Sequence, residues 1–358
     1  MTESPHPLLP AGTPVLHLPG DTVQVGGVDG GDGLRVQPAG PALRTLLRGL
    51  DGRRSERTVR AEALADGLPG DAVDQLLAGL RVTGLVRDLA AADLLAGEPG
   101  PAAAARAATE LPTAVRGPDG GGRWRLRRQS SVVVDGATRV GTPLAAVLAA
   151  SGVGAVHVRD RGPTTAADAV VGGAGAADEG RPRSVAAADA VRRASPLTDL
   201  RPPPLTRRPD LVVLCRPWSA TDPLQVGLQR DGVPHLVATV RGETGVVGPL
   251  VLPGTTSCLR CADAWRREDD PAWPRLAAQL AGAETSSSGA TVTCLLTAVT
   301  AAVQVLAHLD GSAVPAACGS TIELRPPALS PVLRRWPPHP GCPCGAAAGG
   351  SRAPDSGH

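Results

Sequence analysis

The alternation of short apolar runs with helical stretches between residues 123 and 345 constrains the fold more than any other feature. Helical stretches at 142–151 and Arg183–Ala194 follow the first two apolar runs. Four runs have the length of strands: SVVVD at Ser131–Asp135, AVHVR at Ala155–Arg159, DLVVLC at 210–215 and HLVATV at 235–240. Strand, helix, strand, helix, strand is the order of a doubly wound parallel sheet with helices on its faces. We therefore predict a Rossmann-like α/β domain over residues 123–345.

The segment GATRVG at 136–141 lies between the first predicted strand and its helix. In Rossmann-like folds the backbone N–H groups of this turn and the helix N-terminus bind phosphate. A full fingerprint has glycine at the middle position, so that the backbone can approach the ligand, whereas Thr138 and Arg139 stand there in this chain. Two interpretations stay open, a structural turn and a nucleotide site.

Two pairs of closely spaced cysteines lie far apart in the sequence, Cys258 with Cys261 and Cys342 with Cys344. Two such pairs can supply four thiolates to one zinc ion, as in closed structural sites. His339 is close enough in sequence to replace one thiol. We predict a zinc knuckle built from the two pairs, and the alternative is a set of cysteines without a metal.

The other three cysteines, Cys215, Cys294 and Cys318, are isolated on apolar stretches. None has a neighbouring histidine that would lower its pKa, so we expect core thiols, with a catalytic thiol as the alternative.

Composition excludes several classes of function. The formal net charge is only +2, so no global field attracts nucleic acid or a membrane surface. The chain contains no Lys, Asn or Tyr, and no mechanism that depends on one of them can operate. We find no signal peptide and no apolar run close to the roughly 20 residues of a membrane helix. These observations predict a cytoplasmic protein.

The first 95 residues have a different pattern. A strand is predicted at Thr22–Gly26, whose open edge would accept an extended ligand, and helices at 42–50, 57–66 and 71–81. The last helix would bury Leu76, Leu77, Leu80 and Val82. Three arginines could attract an acidic peptide, namely Arg57, Arg60 and Arg81, with solvated surface positions as the alternative. Residues 96–122 are rich in Ala, Gly and Pro and are predicted to be a linker, and residues 346–358 a disordered tail.

Several short sequence motifs in residues 130–345 resemble those of the ThiF/MoeB/HesA proteins, which are related to ubiquitin-activating enzymes. They include the strand and turn at 132–141, DEGRPR at 178–183, and VGPLVLPG at 247–254 leading into the first cysteine pair. DDPAWP at 269–274 and HPGCPC at 339–344 are similar to an actinobacterial branch associated with cyclodehydratase-type maturation of azole-containing peptides.

The resemblance implies an ATP-dependent adenylation site and a homodimer. It assigns the phosphate turn to Gly136, Arg139 and Gly141, the ribose contact to Asp160 and a basic contact to Arg183. The Asn/Arg pair of active relatives is absent, and no matching magnesium-binding Asp follows Cys215; the nearest, Asp222, is a poor substitute. Since adenylation depends on fixed donors and a metal, we expect a degenerate site.

Within the predicted domain 1–95, about residues 8–90 resemble the PqqD-like domain, a small winged-helix-like α+β fold that binds leader peptides by strand addition. The alternative is a small docking domain without a peptide ligand. Three hypotheses follow. The chain binds a precursor leader peptide and presents it to a partner cyclodehydratase, or it is an active adenylyltransferase that acts on a small carrier protein, or it is a structural regulator.

Overall fold

The computed structural model describes residues 4–28, 33–95, 101–115, 122–204, 206–216, 222–282 and 289–346. The chain divides into two compact units, Met1–Leu126 and Arg127–His358. The predicted disordered tail lies outside the described residues except for Ala346.

The first unit combines short strands with helices. Its elements are β1 (His6–Leu8), β2 (Val15–Leu18), β3 (Thr22–Gly26), β4 (Gly33–Val36), α1 (Pro41–Gly49), α2 (Glu56–Ala65), α3 (Gly70–Val82), β5 (Arg87–Leu89), α4 (Ala91–Leu95) and α5 (Pro101–Ala114). The boundary between the two units falls within helix α6 (Arg123–Gln129). Helix α2 begins at Ser55, whose hydroxyl accepts a hydrogen bond from the N–H of Thr58, a common N-cap. The three predicted helices and the predicted strand are all present.

Two details of this unit differ from the sequence expectations. Strand β3 is the middle of an antiparallel sheet ordered β2-β3-β4, so it has no free edge, and the open edges belong to β2 and β4. Leu76, Leu77 and Leu80 are buried as predicted, but Val82 is 89% exposed. The periodicity identified the helix, but its last turn extends beyond the core.

The region predicted as a linker includes helix α5. Leu111, Ala114 and Val115 pack with Leu8 and Trp124 in a small apolar cluster. Residues beyond position 95 therefore contribute to the core of the first unit.

The second unit is built on a seven-stranded sheet. Its elements are β6 (Ser131–Asp135), α7 (Gly141–Ala150), β7 (Ala155–Arg159), α8 (Arg183–Ala194), β8 (Leu211–Leu214), α9 (Pro223–Arg230), β9 (His235–Arg241), β10 (Thr244–Val251), α10 (Leu259–Asp269), α11 (Trp273–Gly282), α12 (Thr291–Asp310), β11 (Ser320–Leu324) and β12 (Pro331–Arg335). The strand order is β12-β11-β10-β9-β8-β6-β7. Strands β7, β6, β8 and β9 are parallel, and β10 to β12 extend the sheet antiparallel. The predicted Rossmann-like α/β fold is confirmed.

Both faces of the central strands are covered. Val132 and Val134 of β6 pack in the cluster that contains α7 and α12, whereas Val133 packs on the opposite side with Leu228 of α9 and Leu259 of α10. Burial on both faces explains why this strand is a continuous apolar run without alternation.

Helix α12 contradicts the expectation that no apolar run approaches the length of a membrane helix. Its 20 residues are long and apolar enough by length and composition. However, Ala298, Ala301 and Val305 are buried in the same cluster as the sheet strands, so α12 is a core helix of this unit.

Candidate nucleotide turn and cysteine cluster

The turn between β6 and α7 needs its glycines for the fold itself. Gly136 has φ +118°, in the left-handed region that side chains disfavour. A Cβ on Gly141 would collide with the carbonyl oxygen of Gly136. Both glycines of the candidate fingerprint are therefore required whether or not a ligand binds.

Three backbone donors of this turn, the N–H groups of Ala137, Val140 and Gly141, already have side-chain acceptors within the protein. The Thr138 hydroxyl accepts hydrogen bonds from the N–H groups of Val140 at 3.3 Å and Gly141 at 3.0 Å. The Asp160 carboxylate accepts from the N–H of Ala137 at 2.7 Å. A phosphate at the start of α7 would compete with these groups for the same hydrogens.

Two of the predicted cofactor residues are held by other parts of the second unit. Arg139 donates to the carbonyl of Gly289 at 2.6 Å and to the hydroxyl of Thr291 at 2.7 Å, both beside the start of α12. Arg183, at the start of α8, donates to Asp168 at 3.2 Å. Gly136, Arg139, Gly141 and Asp160 thus lie in or against one turn, and the role of all five residues in nucleotide binding remains a prediction.

A group of ion pairs that was not predicted from the sequence lies at the end of β6 and just beyond β8. Asp135 is buried and accepts two hydrogen bonds from Arg216 Nη2, at 2.7 and 2.8 Å, and one from Arg159 Nε at 2.7 Å. Arg216 lies two residues after the end of β8 and places a cation in the stretch where the resemblance leads us to expect a magnesium-binding Asp. Two features of the sequence could have indicated this ion pair: the apolar run of β6 ends in Asp135, and Arg216 follows the apolar run 210–215.

Cys215, the residue before Arg216, is buried. Burial first, and the negative charge of Asp135 second, raise the pKa of its thiol. A thiol that resists ionisation is a poor nucleophile, which agrees with the expected core role.

The four predicted metal-binding cysteines are brought together. Their sulfurs all lie within 4.8 Å of one another. The Sγ atoms are 3.8 Å apart for Cys258 and Cys261, 3.6 Å for Cys258 and Cys342, and 3.5 Å for Cys261 and Cys344. Four sulfurs placed tetrahedrally about 2.3 Å from one ion would be roughly 3.8 Å apart. The cluster can therefore bind a metal ion.

Local structure shapes this cluster for a cation. Cys258 is the N-cap residue of α10, and Cys261 lies in the first turn of the helix. The Cys258 thiol donates to the Cys261 sulfur, and this bond is the largest cause of the lowered pKa of Cys261. The pKa of Cys258 is raised, chiefly by the same hydrogen bond, and that of Cys342 chiefly by burial, so a bound cation would be needed to hold all four sulfurs as thiolates.

His339 does not replace a thiol. Its Nε2 is 2.8 Å from a Glu268 carboxylate oxygen, and its Nδ1 accepts a hydrogen bond from the N–H of Gly341 at 3.1 Å. Its ring also packs edge-on against Trp265, with centroids 4.7 Å apart. Both ring nitrogens have partners, so the histidine supports the second cysteine pair from outside.

The match with a family model decides the family. The ThiF family model matches residues 114–344, close to the range 130–345 in which short sequence motifs resemble that family. The chain belongs to the ThiF family. The Rossmann-like sheet, the turn after β6 and the paired cysteines all lie within the range of the ThiF match.

Solved structures show the same fold over nearly the whole chain. The E. coli protein MccB in complex with AMPCPP and MccA is 15% identical with a TM-score of 0.63, covering 95% of this chain and 99% of that one. MccB in complex with ATP is also 15% identical, with a TM-score of 0.61 and 94% and 99% coverage. The protein PaaA is similar as well, at 15% identity, a TM-score of 0.60, and 90% and 98% coverage. No curated protein matches this chain.

Proposed function

We propose that this ThiF-family protein binds a precursor leader peptide and presents it to a partner cyclodehydratase of azole-type peptide maturation, while its own adenylation site is degenerate. The observation that carries the degenerate site is the occupied turn. Thr138 and Asp160 take the N–H groups that a phosphate would need. Arg216 adds a cation where a magnesium ligand is required.

Peptide binding is assigned to the first unit, which we propose is a PqqD-like domain. Strand β2 is an edge strand with largely exposed side chains. A cavity of about 480 Å³ lies beside it, lined by residues of β2, α1 and the preceding segment. An extended peptide can pair with such an edge and place side chains into such a cavity.

The charge of this cavity favours an acidic peptide. Arg44, Arg48 and Arg53 line it against one carboxylate, Asp51, and none of the three arginine side chains donates a hydrogen bond to a carboxylate within the described residues. In contrast, Arg60 and Arg81, which the sequence offered as peptide contacts, form ion pairs with neighbouring acidic residues of the first unit.

The solved relatives give this proposal its context. One of them is the microcin C7 biosynthetic enzyme MccB in complex with N-formylated MccA. At 15% identity this likeness extends to the fold, and a peptide substrate for the present chain is our inference.

Two further assignments belong to the same proposal. The four-cysteine cluster binds one structural zinc ion, because its all-thiolate donor set and sulfur spacing suit that ion. The protein is a cytoplasmic homodimer, and the exposed apolar stripe of α12 supports the dimer. Val292, Val299 and Val303 repeat at helical spacing there and are 66%, 47% and 56% exposed.

A second candidate is an active ATP-dependent adenylyltransferase acting on a small carrier protein. Asp160 at the end of β7 favours it, since an acidic residue at that point can contact a ribose, and MccB has been crystallised with ATP. The third candidate, a non-catalytic structural regulator, would bind neither ATP nor peptide.

The deciding experiment is ATP–pyrophosphate exchange by the full-length protein, run beside titration of the precursor peptide encoded nearest to it. Peptide binding without exchange is the expected result. Exchange that depends on a carrier or peptide would establish the adenylyltransferase, and loss of both signals would leave the regulator. The charge-reversed variant Arg48→Glu should weaken peptide binding. Arg57, which the sequence also offered as a peptide contact, is exposed outside the cavity, so Arg57→Glu should retain binding, and a loss equal to that of Arg48→Glu would move the peptide site away from the cavity.

A further inference from the structure

The outer edge of the large sheet is strand β12. It pairs with β11 on one side, and no other described strand pairs with its second side. All five of its residues are exposed, including the apolar Val332 and Leu333 at 53% and 51%. Such a strand exposes backbone N–H and C=O groups that another extended segment can satisfy.

One face of the sheet beside this edge is basic. Glu323 pairs with Val332 of β12 and with Val246 of β10, so the three side chains share one face. Arg334 lies two residues after Val332 and therefore lies on the same face. An extended segment added to β12 would place alternate side chains next to Arg334.

Helix α10 brings a second arginine to this face. The guanidinium carbon of Arg266 lies 4.3 Å from the centroid of the Trp336 ring and 5.1 Å from that of Trp273. Arg334 lies 4.4 Å from the Trp336 ring. Trp273 belongs to the DDPAWP motif at 269–274, and its Nε1 donates a 2.5 Å hydrogen bond to the Asp263 carboxylate. Arg241 of β9 pairs with Thr244 of β10, two residues before Val246, and therefore lies on the same face. We call Arg241, Arg266, Arg334, Trp273 and Trp336 the arginine–tryptophan surface.

This surface has more positive than available negative charge. Neither Arg241 nor Arg266 donates a hydrogen bond to a carboxylate in the part of the chain that the structure describes. Asp263 and Glu323 are each bound by another arginine, and the one carboxylate near Arg334 among the described ion pairs is the exposed Asp269, at 3.6 Å. The pKa of Arg266 is lowered to about 10, first by burial and then by the like charges of Arg241 and Arg334. An incoming carboxylate would relieve this repulsion.

We propose that β12 and the arginine–tryptophan surface bind an extended peptide segment with acidic side chains, which adds to the sheet as a further strand. The open backbone edge suits a peptide. Nucleic acid is disfavoured because Trp336 is buried beneath two guanidinium groups and cannot stack on a base. A second copy is disfavoured because two β12 strands would bring four arginines, Arg334 and Arg335 of each copy, onto one ribbon. The inference does not depend on leader binding by the first unit.

The test uses the full-length protein and a fluorescent synthetic peptide of alternating Val and Glu, followed by fluorescence anisotropy. Arg266→Gln and Arg334→Gln should each weaken binding about tenfold, the effect of losing one partly exposed charge-assisted hydrogen bond. Two other arginines provide controls. Arg230→Gln changes an exposed residue of α9, and Arg335→Gln changes the opposite face of β12, and both should retain affinity within about twofold.

Three results would overturn the proposal. They are no binding of the Val/Glu peptide, equal affinity for a Val/Lys peptide, or equal losses in the control variants. Light scattering on the same samples provides a further test, because it measures the oligomeric state of each variant. If Arg334→Gln changes the oligomeric state of the protein, β12 is an interface between copies and the peptide assignment is wrong. Circular dichroism of each variant separates a loss of contact from a loss of fold.

Discussion

Removal of the Thr138 hydroxyl tests the assignment of the β6–α7 turn directly. This hydroxyl satisfies two N–H groups at the start of α7, those of Val140 and Gly141. Losing a side-chain cap of this kind costs about 1 kcal/mol, within a range of roughly 0.5–2. Thr138→Ala should therefore unfold the second unit about 2–4 °C below wild type, given the size of that unit. Thr138→Ser keeps the hydroxyl and should stay near the wild-type midpoint.

The same pair of variants reports on the nucleotide. In the wild-type protein millimolar ATP should leave the unfolding midpoint unchanged, because Thr138 and Asp160 already accept from three N–H groups of the turn. Thr138→Ala releases two of them, so ATP or inorganic phosphate should recover part of its lost stability through binding to the folded state. Calorimetry or dye-based thermal unfolding measures both effects. A large ATP shift in wild type, or no difference between the Ala and Ser variants, would refute the reasoning.

Three further predictions concern metal, charge and pH. Protein purified without chelators should contain about one zinc per chain, and Cys344→Ser should lower both the zinc content measured by mass spectrometry and the unfolding midpoint. Asp310→Ala should cost about 3–5 kcal/mol in urea unfolding, because Arg127 is only 2% exposed and would lose its buried partner, whereas Arg230→Ala on the surface should cost less than about 1 kcal/mol. The pKa of Asp178 is held low, chiefly by the N–H of Gly175, so its contribution is complete above the unfolded pKa and is lost as pH falls through the folded one. Asp178→Asn should therefore flatten the acid limb of the stability curve, and an unchanged limb would contradict this assignment.

The sequence by itself determined the features that depend on local periodicity and spacing. Apolar runs of strand length and the helices between them predicted the Rossmann-like sheet, because the length of an apolar run and the order of such runs can be read from neighbouring residues. Two chelating cysteine pairs predicted the thiol cluster, because a closed metal site needs few ligands and tolerates a long intervening chain. The order of helices in the first unit was predictable for the same local reason.

Only the tertiary structure decided how these elements are used. Sheet order placed β3 in the middle of its sheet and left β2 and β4 as the edges, a fact that no alternation of side chains along one strand can encode. Packing brought Arg216 to Asp135 across 81 positions and Arg139 to Gly289 across 150. These distant partners decide whether the turn after β6 has free donors and charges for a nucleotide. The physical reason is that hydrogen bonds and ion pairs depend on distances in space, which the separation of residues along the chain does not determine.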